Sequence, residues 1–209
     1  MTSQKIKNIL EELENMYPDA NCELDHNSPY ELLIATMLSA QCTDVRVNIV
    51  TKELFKKYNT AEKMIQLDNK QLEEYIKTCG LYKSKAKNIL LTSNILVNEF
   101  NGIVPKDKSI LETFPGVGRK TANVVVSNAF GIPALAVDTH VFRVANRLGI
   151  SKGKTPNEVE EDLMKKIPKK YWIKVHHQLI WHGRRCCIAR KPKCDICSLK
   201  PYCSYYKTL

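Results

Sequence analysis

Four cysteines in the last quarter of the sequence have the spacing of a metal or cluster site. The spacing is C-x6-C-x2-C-x5-C, and the residues are Cys187, Cys194, Cys197 and Cys203. Little hydrophobic sequence lies between them, so this segment could hardly fold without a bound metal. Four thiolates suit either a structural zinc ion or an iron–sulfur cluster, and the single C-x2-C pair favours the cluster over zinc. Cys186 would break the spacing, so it is not predicted to be a ligand.

The loop between the first two of these cysteines is strongly basic. It spans residues 188–193 and carries Arg190, Lys191 and Lys193. A bound metal would hold the backbone of this loop, which removes much of the ordering entropy that a free basic tail loses when it binds DNA. We therefore predict that the loop grips phosphate groups, and the plainer alternative is a solvated basic tail.

A second candidate for chemistry is Lys120, which follows Arg119 directly after the run FPGVG. Both residues lie in the first turn of a predicted helix, where the helix dipole disfavours positive charge. Two interpretations stay open. In the first, the two side chains are solvated and contact phosphate. In the second, the helix dipole and Arg119 lower the pKa of Lys120 so that it supplies a neutral amine nucleophile.

The run FPGVG itself predicts a short hairpin whose backbone amides face outward. Pro115 fixes one backbone angle and removes an N–H, and Gly116 and Gly118 permit angles that other residues resist. Exposed N–H groups at a helix N-terminus bind anions, and phosphate is the expected anion. A Walker A loop is excluded because Arg119, not lysine, follows the second glycine. The helical register that leads up to Phe114 excludes a dinucleotide-binding fingerprint.

The elements that must position these residues are predicted to be helices. Apolar residues recur at helical spacing, and Ser28, Thr43, Thr60 and Asp68 are placed to cap helix N-termini. Helices are predicted at residues 6–16, 30–41, 44–55, 84–100, 139–148, 156–167 and 170–184, with shorter ones from 60, 68 and 110 and one that begins at the hairpin. No convincing strand is found, so the chain is predicted to be nearly all α.

Composition and charge narrow the class of partner. The chain has 32 Lys and Arg residues against 22 Asp and Glu residues, a net charge of +10 that suits a polyanion. Residues 1–5 lack the apolar core of a signal peptide, and no apolar run is long enough to span a membrane. We expect a soluble cytoplasmic protein with no membrane partner. In a reducing compartment Cys22, Cys42 and Cys79 are expected to be buried structural thiols.

Three motifs in this order resemble those of the bacterial endonuclease III family. They are FPGVGRKTANVV, VDTH and the four-cysteine segment, and SAQCTDVRVN and GLYKSKAKNI extend the likeness over essentially the whole chain. The resemblance implies two helical domains with a DNA cleft between them, a helix–hairpin–helix motif at about 108–128 and a 4Fe–4S cluster loop. One domain would be a six-helix bundle at 21–131. The other would combine 1–20 with 132–209 and hold the cluster.

The resemblance also implies roles for single residues. Lys120 would be the nucleophile and Asp138 the catalytic aspartate, although Asp138 is also well placed to be an ordinary helix cap. Gln41 would fill the gap left by an extruded nucleotide, and Leu81 would wedge into the opposite strand.

Other implied roles concern DNA contacts and the cluster. The family pattern places Gly116, Gly118 and Arg119 of the hairpin and the basic loop on DNA, and makes the four cysteines of the C-x6-C-x2-C-x5-C segment the ligands of a 4Fe–4S cluster, with zinc less favoured. Cys42 and Cys79, which neighbour Gln41 and Leu81, differ from the family pattern.

The implied function is base excision repair. A monomer would bind double-stranded DNA that contains damaged pyrimidines or abasic sites, release the oxidised base, and nick the strand by β-elimination through a lysine Schiff base. Two alternatives stay open at this point. One is a related mismatch adenine glycosylase, and the other is a non-catalytic, metal-stabilised DNA-binding or redox module.

Overall fold

The computed structural model describes residues 2–208, and its regular structure is helical with no β-strand in that range. The predicted all-α class is therefore confirmed. The α-helices in chain order are α1 (Ser3–Met16), α2 (Pro29–Ser39), α3 (Asp44–Leu54), α4 (Ala61–Met64), α5 (Asn69–Ile76), α6 (Tyr82–Phe100), α7 (Lys108–Leu111), α8 (Arg119–Phe130), α9 (Thr139–Leu148), α10 (Pro156–Lys166) and α11 (Trp172–Arg185). Short 3-10 turns lie at Lys169–Tyr171, Cys194–Ile196, Lys200–Tyr202 and Tyr206–Thr208.

Four helices begin at caps that the sequence predicts. The side chains of Ser28, Thr43, Thr60 and Asp68 each accept a hydrogen bond from a backbone N–H in the first turn of α2, α3, α4 and α5, respectively. These bonds satisfy amides that have no partner within the helix, and each typically stabilises its helix by about 1 kcal/mol.

The start of α6 differs from its prediction. The helix begins at Tyr82, two residues before the predicted cap Ser84, and its N-cap is Leu81 with φ at +60° and no side-chain hydrogen bond. An apolar residue in the left-handed region is an unfavourable cap, so capping rules could not find this boundary. The other end of α6 is as predicted, because Asn101 closes it in the left-handed conformation.

The chain divides into two compact units, and the boundaries fall at residues 21/22 and 132/133. The predicted boundaries are 20/21 and 131/132, and the assignment of separate domains with separate roles stays a prediction. Unit 2 is the continuous stretch 22–132 and contains α2 to α8. Unit 1 combines 2–21 with 133–208 and contains α1 and α9 to α11.

In unit 2 the core is organised around α2. Every residue of this helix from Tyr30 to Leu38 is buried, as its almost uniformly apolar sequence predicts. Helix α2 packs against α3, α6 and α8, so it lies at the centre of this unit.

In unit 1 the core lies between α1, α9 and α11. Ile9, Leu13, Val141, Val144 and Leu179 are fully buried there. Helix α9 packs most extensively on α11, which leads directly into the cysteine segment. No helix within residues 2–208 is long and apolar enough to cross a lipid bilayer.

Candidate functional site

The hairpin between α7 and α8 is anchored to the core of unit 2 by two side chains. Phe114 and Val117 are each 4% exposed, and the ring of Phe114 meets that of Phe100 edge to face at 5.6 Å. The N–H of Val117 donates to the carbonyl of Phe114 at 3.0 Å and closes the turn. The hydroxyl of Thr92 donates to the carbonyl of Pro115 at 3.0 Å, so α6 holds the tip of the hairpin.

Gly116 is required by this geometry. Its φ is +78°, in the region that side chains disfavour. A Cβ atom at this position would lie 2.9 Å from Nδ2 of Asn88 and 3.2 Å from Cε of Met37. The predicted conformational role of Gly116 is therefore confirmed.

The same prediction for Gly118 is wrong. Its φ is −98° and its ψ is 178°, an extended conformation that any residue adopts. A Cβ atom there would meet no atom of residues 2–208 within 4 Å. Neither the backbone conformation nor the packing requires glycine at 118. The absence of a side chain there leaves the N-terminus of α8 accessible to a ligand.

The first turn of α8 is exposed and carries two cations. Gly118 is its N-cap and supplies no side-chain hydrogen bond. Arg119 and Lys120 occupy the first two positions of the helix, and both are exposed. The start of α8 therefore combines uncapped amides with positive side chains, which is the arrangement that binds an anion.

Asp138 is the N-cap of α9 in unit 1. Its Oδ1 accepts hydrogen bonds from the N–H groups of His140 and Val141, both at 2.8 Å, so its predicted role as a helix cap is confirmed. Burial lowers the pKa of His140, and the nearby Asp138 carboxylate opposes that shift. Both of these bonds use Oδ1, and a catalytic role for Asp138 stays a prediction.

Gln41 and Leu81 lie on neighbouring loops of unit 2. Both have positive φ, +53° and +60°, and both are exposed, Leu81 by 58%. A Cβ atom on Gly80 would lie 3.1 Å from the carbonyl oxygen of Gln41, so the two loops touch through their backbones. The structure thus brings together the two residues that are predicted to enter the space of an extruded nucleotide.

The four predicted cysteine ligands line one pocket of unit 1. Cys187, Cys194, Cys197 and Cys203 all border it, together with Cys186, His182 and residues of the C-terminal turns. A set of four thiol donors around one cavity fits a 4Fe–4S cluster. Their assignment as the ligands stays a prediction, because a second group of possible ligands, which shares only Cys197 with the predicted set, has its donor atoms close together. The donor atoms of His182, Cys186 and Cys197 lie within 4.8 Å of one another.

Hydrogen bonds occupy all three members of that trio. The ring of His182 meets the hydroxyl of Tyr17 at 3.0 Å through Nδ1 and the sulfur of Cys197 at 3.7 Å through Nε2. The thiol of Cys186 donates to the carbonyl of Lys193 at 3.6 Å. His182 thus connects α1 to the cysteine segment, a relationship without a local signal in the sequence because Tyr17 is 165 residues away.

Two arginines of α9 hold the start of the cysteine segment. Arg143 donates to the carbonyls of Cys187 at 3.1 Å and Gly183 at 2.9 Å. Arg147 donates to the carbonyls of Ile188 at 2.7 Å and Ala189 at 2.9 Å. Sequence reasoning missed both residues. Their spacing of four places them on one face of α9, and this was the signal that could have found them.

The basic loop 188–193 carries its three predicted phosphate contacts on a backbone that is held at both ends. Arg190, Lys191 and Lys193 are all exposed. The N–H of Lys193 donates to the carbonyl of Cys186 at 3.0 Å, and Arg147 fixes the other arm of the loop. The loop therefore has a defined backbone, as the prediction requires, whereas its binding to DNA stays a prediction.

Comparison with known proteins finds close relatives over the full length. A family model described as HhH-GPD superfamily base excision DNA repair protein matches residues 34–169. A second, described as the iron-sulfur binding domain of endonuclease III, matches residues 187–203. Endonuclease III of Rickettsia conorii is 49% identical over 209 residues and covers 100% of both chains. Endonuclease III of Escherichia coli K12 is 50% identical over 205 residues, which are 98% of this chain and 97% of that one.

Solved structures agree with these relatives. The structure of a trapped endonuclease III–DNA covalent intermediate matches with a TM-score of 0.95 and 51% identity, covering 100% of this chain and 98% of that chain. A non-covalent endonuclease III–DNA complex matches with the same values. A thermostable thymine-DNA glycosylase, at 25% identity, matches with a TM-score of 0.87 over 99% of this chain and 98% of that one.

Proposed function

This chain belongs to the endonuclease III family of base excision repair enzymes, and we propose that it attacks its DNA substrate through the amine of Lys120. It is a DNA glycosylase and abasic-site lyase with a 4Fe–4S cluster. The observation that carries the proposal is the position of Lys120. This residue is exposed in the first turn of α8, directly after the glycine-containing hairpin, and α8 has no side-chain cap. Neither alternative, a mismatch adenine glycosylase or a non-catalytic module, accounts for full-length relatives named endonuclease III.

The substrate we propose is double-stranded DNA that contains an oxidised pyrimidine or an abasic site. An enzyme that acts on a base within a duplex must first extrude it, at a cost of a few kcal/mol. Damaged pyrimidines stack and pair less well, so the cost is lower for them. Gln41 and Leu81 would occupy the vacated space from their two touching loops, and the 58% exposure of Leu81 leaves its side chain available for this.

The phosphate backbone would be held at two places. One is the hairpin, where Gly116 and Gly118 expose backbone amides beside the Arg119 side chain. The other is the basic loop 188–193 with Arg190, Lys191 and Lys193. These contacts are electrostatic, so the affinity should fall by roughly one power of salt concentration for each phosphate neutralised.

The chemistry would begin when the neutral amine of Lys120 attacks C1′ of the extruded nucleotide and displaces the base. Asp138 would assist proton transfer and stabilise the positive charge that develops on the sugar. Loss of a proton from nitrogen and opening of the sugar ring give a Schiff base between Lys120 and C1′. This iminium acidifies the C2′ proton, whose removal expels the 3′ phosphate by β-elimination and nicks the strand.

Cys187, Cys194, Cys197 and Cys203 would hold the 4Fe–4S cluster through their sulfur atoms. When bound, the cluster cross-links a segment that is too poor in apolar residues to fold by itself. Arg143 and Arg147 attach this segment to α9, the helix whose first turn Asp138 caps. The position of the basic loop and that of Asp138 would thus both depend on α9.

Reductive trapping tests the assignment of Lys120. The protein is incubated with an abasic duplex and sodium borohydride, which reduces a Schiff base to a stable protein–DNA adduct. We expect an adduct with the wild type and with Arg119→Gln, the matched control at the neighbouring position. Lys120→Gln should give no adduct. An adduct that persists in Lys120→Gln would overturn the assignment.

We also propose a monomer that works in the cytoplasm on nucleoid DNA. The net charge of +10 is consistent with a protein that associates with this polyanion. Sedimentation with and without duplex DNA checks the oligomeric state, and a dimer in both conditions would contradict the proposal.

A further inference from the structure

Two thiols of unit 2 have no role in the reaction, and they lie side by side. Cys42 directly follows Gln41, and Cys79 comes two residues before Leu81. The two thiols are close enough for Cys42 to raise the pKa of Cys79. Cys79 is 1% exposed, whereas Cys42 is only partly buried. The expectation that both are buried structural thiols is therefore right for Cys79 and only partly right for Cys42.

The backbone brings these two thiols together and keeps them together. The N–H of Cys42 donates to the carbonyl of Ser39 at 3.1 Å, and that of Cys79 donates to the carbonyl of Ile76 at 2.8 Å. The close approach of Gly80 to the carbonyl of Gln41 joins the two loops at this point. The pair is thus part of two ordered turns that end α2 and α5.

The surroundings of the pair favour reaction at Cys42 first. Burial, and after it the neighbouring Cys42, raise the pKa of Cys79 to about 11. The ammonium of Lys85, which is 7% exposed and donates to the carbonyl of Leu38 at 2.7 Å, opposes this shift together with Arg46. Cys42 is the more accessible thiol and lies near the same lysine, so a small reagent reaches it before Cys79.

We propose that Cys42 and Cys79 form a reversible disulfide by exchange with a small-molecule disulfide of the glutathione class. The Cys42 thiolate attacks one sulfur of oxidised glutathione, forms a mixed disulfide and releases one glutathione thiolate. The Cys79 thiolate then attacks the Cys42 sulfur and releases the second. The two protein thiols are oxidised, the glutathione disulfide is reduced to two glutathione molecules, and the two thiol protons end on these products.

The bond links the two loops that carry Gln41 and Leu81. A disulfide holds the two sulfur atoms about 2.05 Å apart, which is closer than two unbonded sulfur atoms can lie, so the loops are drawn together and their separation is fixed. A displacement of about 1 Å in positioning groups can lower turnover by as much as about 100-fold. This consequence rests on the proposed function, in which Gln41 and Leu81 open the duplex. The disulfide itself does not depend on that function.

The experiment uses the cluster-loaded protein in mixtures of reduced and oxidised glutathione without oxygen. Samples are quenched with acid, alkylated, digested and analysed by mass spectrometry, while absorbance near ~400 nm reports that the cluster is intact. We expect a linked peptide, that is, two peptides joined by a disulfide between Cys42 and Cys79. The fraction of protein in this form should rise with the share of oxidised glutathione and fall to zero with dithiothreitol. Cys22→Ser should retain the linked peptide, and Cys42→Ser and Cys79→Ala should each abolish it.

Cleavage of an abasic duplex is measured on the same samples. The oxidised wild type should cut at least several-fold more slowly than the reduced form and recover after reduction, while Cys42→Ser should be insensitive to glutathione. A protein that stops at the mixed disulfide on Cys42 would overturn the proposal. A linked peptide with unchanged cleavage would overturn the effect on the loops. If the reduced wild type does not cleave the abasic duplex, the proposed function is contradicted. The presence or absence of the linked peptide would still show whether the disulfide forms.

Discussion

Nη1 of Arg147 lies 3.4 Å from Sγ of Cys187. Cys187 is the first cysteine of the predicted ligand set, and Arg147 is on the last turn of α9, whose first turn is capped by Asp138. The same arginine stacks over the ring of Tyr205 at 4.7 Å, and its carbonyl accepts from the N–H of that residue at 2.8 Å. One side chain and its backbone thus fasten both ends of the cysteine segment to the helix that presents Asp138.

Replacing Arg147 by alanine should loosen the cysteine segment. The carbonyls of Ile188 and Ala189 lose their partner, which costs about 1–3 kcal/mol, and each kcal/mol lowers the Tm of a chain of this size by about 2–4 °C. Thermal unfolding followed by cluster absorbance checks this. Arg190→Ala, three residues beyond Cys187, is the control. It should keep the wild-type Tm and weaken DNA binding, and an equal Tm for both variants would contradict the role of Arg147.

The two hairpin glycines should respond in opposite ways to alanine. Gly116→Ala forces a side chain into the positive-φ region and against Asn88, so we expect a loss of about 2 kcal/mol in the free energy of unfolding. Gly118→Ala should change that free energy by no more than about 0.5 kcal/mol. It should instead weaken binding to duplex DNA several-fold, because its methyl group would crowd the phosphate that we propose binds at the start of α8. Denaturant unfolding and fluorescence anisotropy measure the two effects.

The substitution Asp138→Asn should separate capping from catalysis. The asparagine side chain retains an Oδ1 that accepts from the N–H groups of His140 and Val141, so the stability of α9 is kept, whereas Asp138→Ala loses about 1 kcal/mol. Base release by Asp138→Asn should fall by about 10²–10⁴-fold with DNA affinity retained. Single-turnover assays measure the rate, and a near-normal rate would reduce Asp138 to a cap.

The adjacent cysteines 186 and 187 offer a matched test of the ligand set. Cys187→Ser should lose the absorbance near ~400 nm, because it removes a thiolate of the predicted four. Cys186→Ser should keep it, since the Cys186 thiol donates to the carbonyl of Lys193 and a hydroxyl can do the same. Loss of absorbance in Cys186→Ser alone would instead assign the site to the trio of His182, Cys186 and Cys197.

The buried His177 should make the protein less stable in acid. Burial lowers its pKa to about 3, with the neighbouring His176 and Lys174 contributing to the shift. Between that value and the unfolded pKa of about 6.5, the unfolded chain binds one more proton, so stability falls with decreasing pH by at most about 1.4 kcal/mol per pH unit. His177→Gln should show a shallower fall between about pH 6.5 and 5 and an unchanged profile above about pH 7. An unaltered slope would contradict the burial of a neutral imidazole.

Local features of the sequence were sufficient to predict much of the fold. The caps at Ser28, Thr43, Thr60 and Asp68 were found because a capping side chain bonds to amides within three residues of itself. The burial of α2 followed from its composition, and the four-cysteine spacing indicated the cluster without any structure. The start of α6 could not be predicted in this way, because Leu81 has no capping side chain and its φ is positive.

The sequence by itself determined the class of the fold, the hairpin with its exposed lysine and the thiol spacing of the cluster segment, because each depends on residues close together along the chain. Only the tertiary structure decided why Gly116 must be glycine while Gly118 need not be, since Asn88 and Met37 lie close to Gly116 and no residue within 2–208 crowds Gly118. It alone placed Arg147 on Cys187 and Cys42 beside Cys79. These contacts join residues that lie far apart along the chain, and such pairings depend on how the helices pack.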